Sequence, residues 1–177
     1  MLLTLIGLSC ASSYAERLLV TVNATPYDHQ MSRIQPILSS EGRGRGQEHV
    51  SLRMVNNWIG NLRSIPYGFS RVWKTPSETQ SGSPADCKAK AVALYQTMKD
   101  HGATDLRLVI GKRTSRSRAT HAWLEWEADG DNYVLDPTIN WMAYRSGDVG
   151  SSSYIPYYAF AGNRKYRAAP STLVAQN

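Results

Sequence analysis

The chain has 177 residues, of which 42% are hydrophobic and 19% are charged. This composition suits one domain with a buried core and excludes a disordered chain. The formal net charge is +6, but the basic residues are spread along the chain and form no basic helix with interleaved aromatic residues. We therefore expect no nucleic-acid partner, and we interpret the densest basic group, at residues 112–118, as a solvated loop.

The first fifteen residues form a short apolar run that ends in small residues. Although a positively charged n-region is missing, the run predicts a secretory signal over residues 1–15, cleaved after Ala15, and hence a periplasmic or secreted protein. It is too short for a membrane span, and we expect no stable one. Removal of the signal would also remove Cys10 and leave Cys87 as the only thiol in an export compartment.

Residues 16–46 have mixed character. Residues 18–22 predict a short strand, and prolines and a Gly-Arg-Gly-Arg-Gly run at residues 42–46 follow. We expect this N-terminal segment to be otherwise irregular and to be draped over the surface or poorly ordered. The main domain is predicted to span residues 47–170.

Two helices and a helical turn are predicted in the first half of this domain. Apolar residues at helical spacing predict the first helix from about residue 48 to about residue 63. Thr75-Pro76-Ser77-Glu78 resembles a capping signature and predicts a short helical turn. The second helix is predicted from Asp86 to His101, with Asp86 as its N-cap.

Cys87 lies at the first turn of the second helix. There the unpaired backbone N–H groups and the positive end of the helix dipole favour thiolate over thiol. The apolar residues that follow share one helix face with Cys87. The alternative is therefore that Cys87 is a small buried hydrophobic residue of the core.

Beyond this helix the apolar period changes to two, which predicts strands. Three segments have this pattern: residues 106–110, 120–127 and 133–136. A basic loop is predicted at residues 111–118, a hairpin turn at residues 129–132, and one more strand or a packed loop in the tyrosine-rich tail. Helices followed by an antiparallel sheet predict an α+β fold.

His121 and Asp136 lie on the two strands of the predicted hairpin. With the turn at Gly130-Asp131, His121 faces a residue near position 140, so Asp136 lies a few residues inside that position. A bulge or a late strand start would bring the two side chains into contact. The alternatives are an ordinary histidine and an aspartate that ends its strand in an Asx turn.

These residues suit nucleophilic catalysis. A cysteine nucleophile needs a base, and the base needs a third group that fixes its orientation. Cys87, His121 and Asp136 supply these three types, and the backbone N–H of Cys87 suits an oxyanion hole. The histidines lack the spacing of metal ligands, so we expect no metal and no cofactor.

Three sequence segments together resemble the transglutaminase-like fold, a branch of the papain-like cysteine hydrolases. They are Asp86-Cys87, Thr120-His121-Ala122 and Tyr133-Val134-Leu135-Asp136. The upstream residues 67–78 extend the resemblance to the bacterial transglutaminase-like cysteine peptidases, over about residues 48–145. The resemblance implies a papain-like core in which N-terminal helices pack on an antiparallel sheet.

The same resemblance implies an exported peptidase that cleaves peptide or isopeptide bonds through a thioester. Cys87 is then the nucleophile, His121 the general base and acid, and Asp136 the orienting group, while Trp73 or Tyr67 lines the cleft or assists the oxyanion hole. The substrate is a protein or peptide, and we expect a monomer. Transglutaminase or deamidase chemistry on the same triad, and a non-catalytic binding domain that keeps the fold, remain alternatives.

One departure from the family concerns calcium. Its calcium-dependent members carry acidic residues directly after the cysteine, where this chain has Lys88 and Ala89. Calcium needs several oxygen ligands, so this departure predicts that the chain binds no calcium. We expect Lys88 and Lys90 instead to favour the thiolate of Cys87 through their positive charge.

Overall fold

The computed structural model describes residues 19–40, 49–80 and 82–169. The predicted signal at residues 1–15 and the Gly-Arg run at residues 42–46 lie outside these ranges. Within them, no helix combines the length and the apolar character needed to cross a bilayer.

The described strands form one seven-stranded antiparallel sheet in the order β1-β7-β6-β2-β3-β4-β5. Their bounds are β1 Leu19–Val22, β2 Leu106–Thr114, β3 His121–Ala128, β4 Asp131–Leu135, β5 Tyr144–Arg145, β6 Ser153–Ala161 and β7 Arg164–Ala168. The short β5 was not predicted, and the tyrosine-rich tail contains two strands rather than one.

Five α-helices and one short 3-10 helix, Ser146–Asp148, accompany the sheet in the described residues. The α-helices are α1 Asp28–Met31, α2 Gln35–Leu38, α3 Leu52–Ser64, α4 Pro76–Gln80 and α5 Cys87–Asp100. Helix α5 contacts β2 and β3 on one side and α2, α3 and α4 on its other sides. It is consequently buried around most of its circumference, whereas its sequence predicted a single apolar face.

Local capping explains where the helices begin. The Ser51 side chain accepts a hydrogen bond from the Met54 N–H at 3.4 Å, so α3 begins at Leu52 rather than near residue 48. The Glu78 carboxylate accepts hydrogen bonds from the Thr75 N–H at 2.7 Å and the Thr75 hydroxyl at 2.9 Å. The capping signature predicted there is confirmed.

The N-terminal segment differs from its prediction. Residues 19–40 contain β1, α1 and α2, and Met31, Ile34 and Leu38 are buried in the main core. The three residues follow a helical spacing, and Pro36 lies in the first turn of α2, where its missing N–H costs nothing. The expectation of an irregular, surface-draped segment was therefore wrong for residues 23–40, whereas the short strand predicted at residues 18–22 is confirmed as β1.

Strand β2 runs four residues beyond its predicted end. It passes through a bulge between Ile110 and Gly111, where β6 continues to pair with it. A Cβ atom on Gly111 would lie 2.0 Å from the Ile155 carbonyl oxygen and 2.8 Å from the Trp123 ring. Only glycine fits this close approach, so part of the predicted basic loop belongs to the sheet.

The hairpin between β3 and β4 turns one residue earlier than predicted. Its turn is Asp129-Gly130, with positive φ angles of 53° and 79°. Ala128 pairs with Asp131 in the resulting register. If continued, this register places His121 opposite residue 138, so Asp136 is two residues away on the same face of the sheet.

Candidate active site

Cys87 is the first residue of α5 and follows directly on the N-cap Asp86. Asp86 is in an extended conformation, and its Oδ1 accepts a hydrogen bond from the Ala89 N–H at 3.1 Å. The cysteine is a free thiol with 8% of its surface exposed. It therefore lies at the positive end of a 14-residue helix, close to backbone N–H groups that have no partner within the helix.

His121 and Asp136 are in direct contact. His121 Nε2 donates to Asp136 Oδ2 at 2.7 Å, and the carboxylate is fully buried. His121 begins β3, and Asp136 directly follows β4. The contact is a diagonal one across the hairpin and needs neither the bulge nor the late strand start that the sequence suggested.

Cys87 is the second titratable group close to the His121 ring. Burial of the ring disfavours the imidazolium, but its hydrogen bonds to Asp136 and Cys87 outweigh burial and raise the pKa of His121 to about 9. The structure thus brings the three predicted residues together. An imidazolium held between a carboxylate and a thiol favours the thiolate, which is the reactive form of cysteine.

Asp136 also forms an Asx turn. Its Oδ1 accepts hydrogen bonds from the Thr138 N–H at 3.0 Å and the Ile139 N–H at 3.3 Å. The turn uses one carboxylate oxygen, Oδ1, and the other oxygen, Oδ2, accepts the hydrogen bond from His121. Asp136 therefore forms the Asx turn and contacts His121 at the same time, so the two interpretations of this residue do not exclude each other.

Tyr154 is a further member of this network that the sequence did not indicate. Its hydroxyl donates to Asp136 Oδ2 at 3.0 Å and accepts from Asn140 Nδ2 at 3.0 Å. Burial, followed by the Asp136 charge, raises the pKa of Tyr154 and keeps the phenol neutral. Buried tyrosines usually pair their hydroxyl, but no local signal named Asp136 as the partner.

The two lysines after Cys87 have partners of their own. The Lys88 ammonium donates to Asp86 Oδ2 and, at 3.0 Å, to the Ser70 carbonyl. The buried Lys90 ammonium donates at 2.6 Å to the carbonyl of Ile65, the residue that directly follows α3. Burial lowers the pKa of Lys90. Neither ammonium therefore donates to the thiol in these hydrogen bonds, and the expectation that the two lysines favour the thiolate through their positive charge stays a prediction.

Tyr67 and Trp73 differ in position. Tyr67 is 60% exposed, and its pKa is raised by partial burial and then by the charges of Cys87 and Asp86, so its ring lies at the site. Trp73 is 1% exposed and belongs to the main core. Of the two, Tyr67 is therefore the residue exposed at the site, and Trp73 is a core residue.

Comparison with solved structures adds a fold relationship. The calcium-bound LapG of Legionella pneumophila matches with a TM-score of 0.57 and 14% identity, over 85% of this chain and 86% of that chain. The chain has the transglutaminase-like fold. The EGTA-treated LapG of Legionella pneumophila matches with a TM-score of 0.57 and 13% identity, over 86% of this chain and 86% of that chain.

The predicted fold class is confirmed by this relationship, together with the antiparallel sheet and its helices. No family model matches the sequence, and no curated protein matches it either. At this level of identity the likeness concerns the fold. The chemistry of the site is argued from its own residues below.

Proposed function

We propose that the chain is an exported cysteine peptidase that cleaves peptide or isopeptide bonds with Cys87, His121 and Asp136 as its triad. The observation that carries the proposal is the hydrogen bond between His121 and the buried Asp136 carboxylate, together with a Cys87 near enough to raise the pKa of His121. The fold supports it, since LapG is a periplasmic cysteine protease with the same fold.

The geometry suits two successive acyl-transfer steps. The Cys87 thiolate attacks the carbonyl carbon of the scissile bond, and backbone N–H groups at the start of α5 stabilise the oxyanion. His121 then protonates the leaving amine as the thioester forms. In the second step His121 takes a proton from water, which attacks the thioester and releases the acid and the Cys87 thiolate.

Asp136 has an orienting role in this scheme. Its buried carboxylate accepts from His121 Nε2 and so directs the other ring nitrogen toward Cys87. It also stabilises the imidazolium that is present before the first step and forms again in the second, without taking up the proton itself.

Calcium does not fit the residues beside the nucleophile. Asp86 is the nearest carboxylate in the sequence, and its oxygens already accept from the Ala89 N–H, the Ser70 N–H and the Lys88 ammonium. Calcium takes six to eight oxygen ligands. Among the described residues, no group of three or more histidine, cysteine or acidic side chains is arranged to hold a metal. The proposed mechanism therefore uses no metal.

A peptide library tests the activity. Wild-type protein, Cys87→Ala and the control His49→Ala, whose side chain is 75% exposed, are incubated with peptides from a proteome digest. Mass spectrometry of new N-termini is expected to show the same cleavages in the wild type and the control and none in Cys87→Ala. Cleavage that persists in Cys87→Ala, or none in any of the three proteins, would overturn the peptidase proposal.

The same incubations distinguish the acyl acceptor. With a primary amine added, a transglutaminase would join it to glutamine side chains, and a deamidase would convert glutamine to glutamate without it. A peptidase instead produces new termini. Mass spectra that contain modified glutamines but no new termini would favour one of these alternatives.

A further inference from the structure

The side chain that follows the nucleophile makes a bridge. Lys88 lies on the first turn of α5, and 19% of its side chain is exposed. Its ammonium joins the Asp86 carboxylate to the Ser70 carbonyl and lies 5.1 Å from the centroid of the Phe69 ring. The bridge connects the start of α5 to residues 67–72, which we call the site loop.

Ser70 is held by both of its backbone groups. Its N–H donates to Asp86 Oδ2 at 3.1 Å, and its carbonyl accepts from Lys88. Phe69 and Val72, by contrast, expose most of their surface. Since little apolar burial holds these residues, the ion pair of Asp86 and Lys88 is the main anchor of the middle of the site loop.

The site loop lies beside the nucleophile. The Ala85 N–H donates to the Pro66 carbonyl at 2.9 Å, and the Gly68 N–H donates to the Ala85 carbonyl at 3.4 Å. Tyr67 is near enough for the charge of Cys87 to raise its pKa. The position of this loop therefore shapes one wall of the site.

We propose that the Lys88 ammonium is a built-in cation that holds the site loop against the start of α5, and that the site consequently needs no divalent cation. A divalent cation bound between a carboxylate and a backbone carbonyl would also join the loop to the helix. The Lys88 ammonium already binds both oxygen atoms, so it repels such a cation and takes its place. Lys88 is thus a positioning residue for Cys87. Its effect on peptide cleavage rests on the proposed function.

The first test measures opening of the site loop. Trypsin cleavage after Arg71, which is exposed in this loop, is followed by mass spectrometry in the wild type, Lys88→Met, Lys88→Arg and the control Lys99→Met from the last turn of the same helix. Cleavage after Arg71 tracks the open population of the loop. We expect it to be about tenfold faster in Lys88→Met, and within about twofold of the wild type in Lys88→Arg and in the control.

Lys88→Met leaves the Asp86 charge buried and unpaired, which can destabilise the whole domain. The double variant Asp86→Asn/Lys88→Met removes both charges and keeps an N-cap. We expect it to unfold near the wild-type temperature but to be cut faster after Arg71. Wild-type cleavage rates in a folded double variant would overturn the proposal.

The second test measures the nucleophile and its response to calcium. Iodoacetamide alkylation of Cys87 at neutral pH is expected to slow about tenfold in Lys88→Met and to recover in Lys88→Arg. In the wild type, millimolar calcium and excess EGTA are expected to give alkylation rates within about twofold of each other. If alkylation of wild-type Cys87 became much slower in EGTA and recovered with calcium, the proposal that Lys88 replaces a divalent cation would be wrong.

These readouts are independent of turnover. If no peptide is cleaved but the loop and alkylation results are as expected, the peptidase proposal alone fails. If peptides are cleaved in a Cys87-dependent manner but Lys88→Met resembles the wild type in both tests, the proposal about Lys88 alone fails.

Discussion

Tyr154 donates a hydrogen bond to the same Asp136 oxygen that accepts from His121, at 3.0 Å and 2.7 Å respectively. Tyr154 has a positive φ of 48°, a conformation that costs about 1 kcal/mol or more for a residue other than glycine. Its ring packs edge-on against Trp123, with the centroids 5.4 Å apart. The fold thus holds a strained residue at the point where the orienting carboxylate needs a second donor.

Tyr154→Phe removes this donor and keeps the ring. We expect the free energy of unfolding to fall by about 1 kcal/mol, and the alkylation rate of Cys87 to fall about three- to tenfold because the Asp136–His121 pair is less well fixed. Urea unfolding and iodoacetamide kinetics measure the two effects. Tyr157→Phe on the same strand is the control, and equal effects in both variants would show that Tyr154 has no special role.

Asp136→Asn removes the charge beside His121 but keeps an oxygen for the Asx turn. Asp136 and Cys87 raise the pKa of His121 to about 9 against the effect of burial, so loss of the charge lowers this pKa. NMR titration of the His121 ring in the wild type and the variant measures the change. Asp131→Asn at the start of β4 is the control and is expected to leave the His121 titration unchanged.

The same pKa predicts a pH profile. The imidazolium is the acid that protonates the leaving amine, so peptide cleavage is expected to persist up to about pH 9 and to decline above it. In Asp136→Asn the decline is expected at lower pH, with cleavage about 10²–10⁴-fold slower. If cleavage by the variant declined at the same pH as cleavage by the wild type, deprotonation of His121 would not be the cause of the decline.

Local signals predicted much of the site. Asp86 and Gly102 delimit α5, and Asp129-Gly130 marks the hairpin, because capping and turn chemistry depend on a few adjacent residues. The turn was predicted one residue too late, which shifted the pairing by two residues, since the Asp129-Gly130 turn and a turn one residue later both suit the local sequence. That error left the contact of His121 with Asp136 dependent on a bulge that it does not need.

Contacts between segments that are distant in the sequence could not be predicted. Tyr154 reaches Asp136 across the sheet, and Ser70 reaches Asp86 from a loop. Nothing in the sequence near either residue names its partner, since such pairs depend on tertiary packing. The sequence drew attention to Lys88, but its hydrogen bond to Ser70 could not be foreseen without the position of that loop.

Gly111→Ala tests the packing beneath His121, which pairs with Gly111 across β2 and β3. The added methyl would overlap the Ile155 carbonyl at 2.0 Å, and we expect a loss of about 3 kcal/mol in the free energy of unfolding. Gly60→Ala in α3 meets no atom within 4 Å and is expected to stabilise by about 0.5–1 kcal/mol. Urea unfolding compares the two, and a loss below about 1 kcal/mol in Gly111→Ala would mean that β6 moves aside.

Ile34→Ala tests whether the N-terminal segment belongs to the folded unit. Ile34 is fully buried in the main core, so its truncation is expected to cost about 2–5 kcal/mol in one cooperative urea transition. Val20→Ala, on the exposed part of β1, is the control and is expected to cost less than about 0.5 kcal/mol. If Ile34→Ala instead unfolded residues 19–40 alone and left the transition monitored at α5 unchanged, the segment would be a separate attachment.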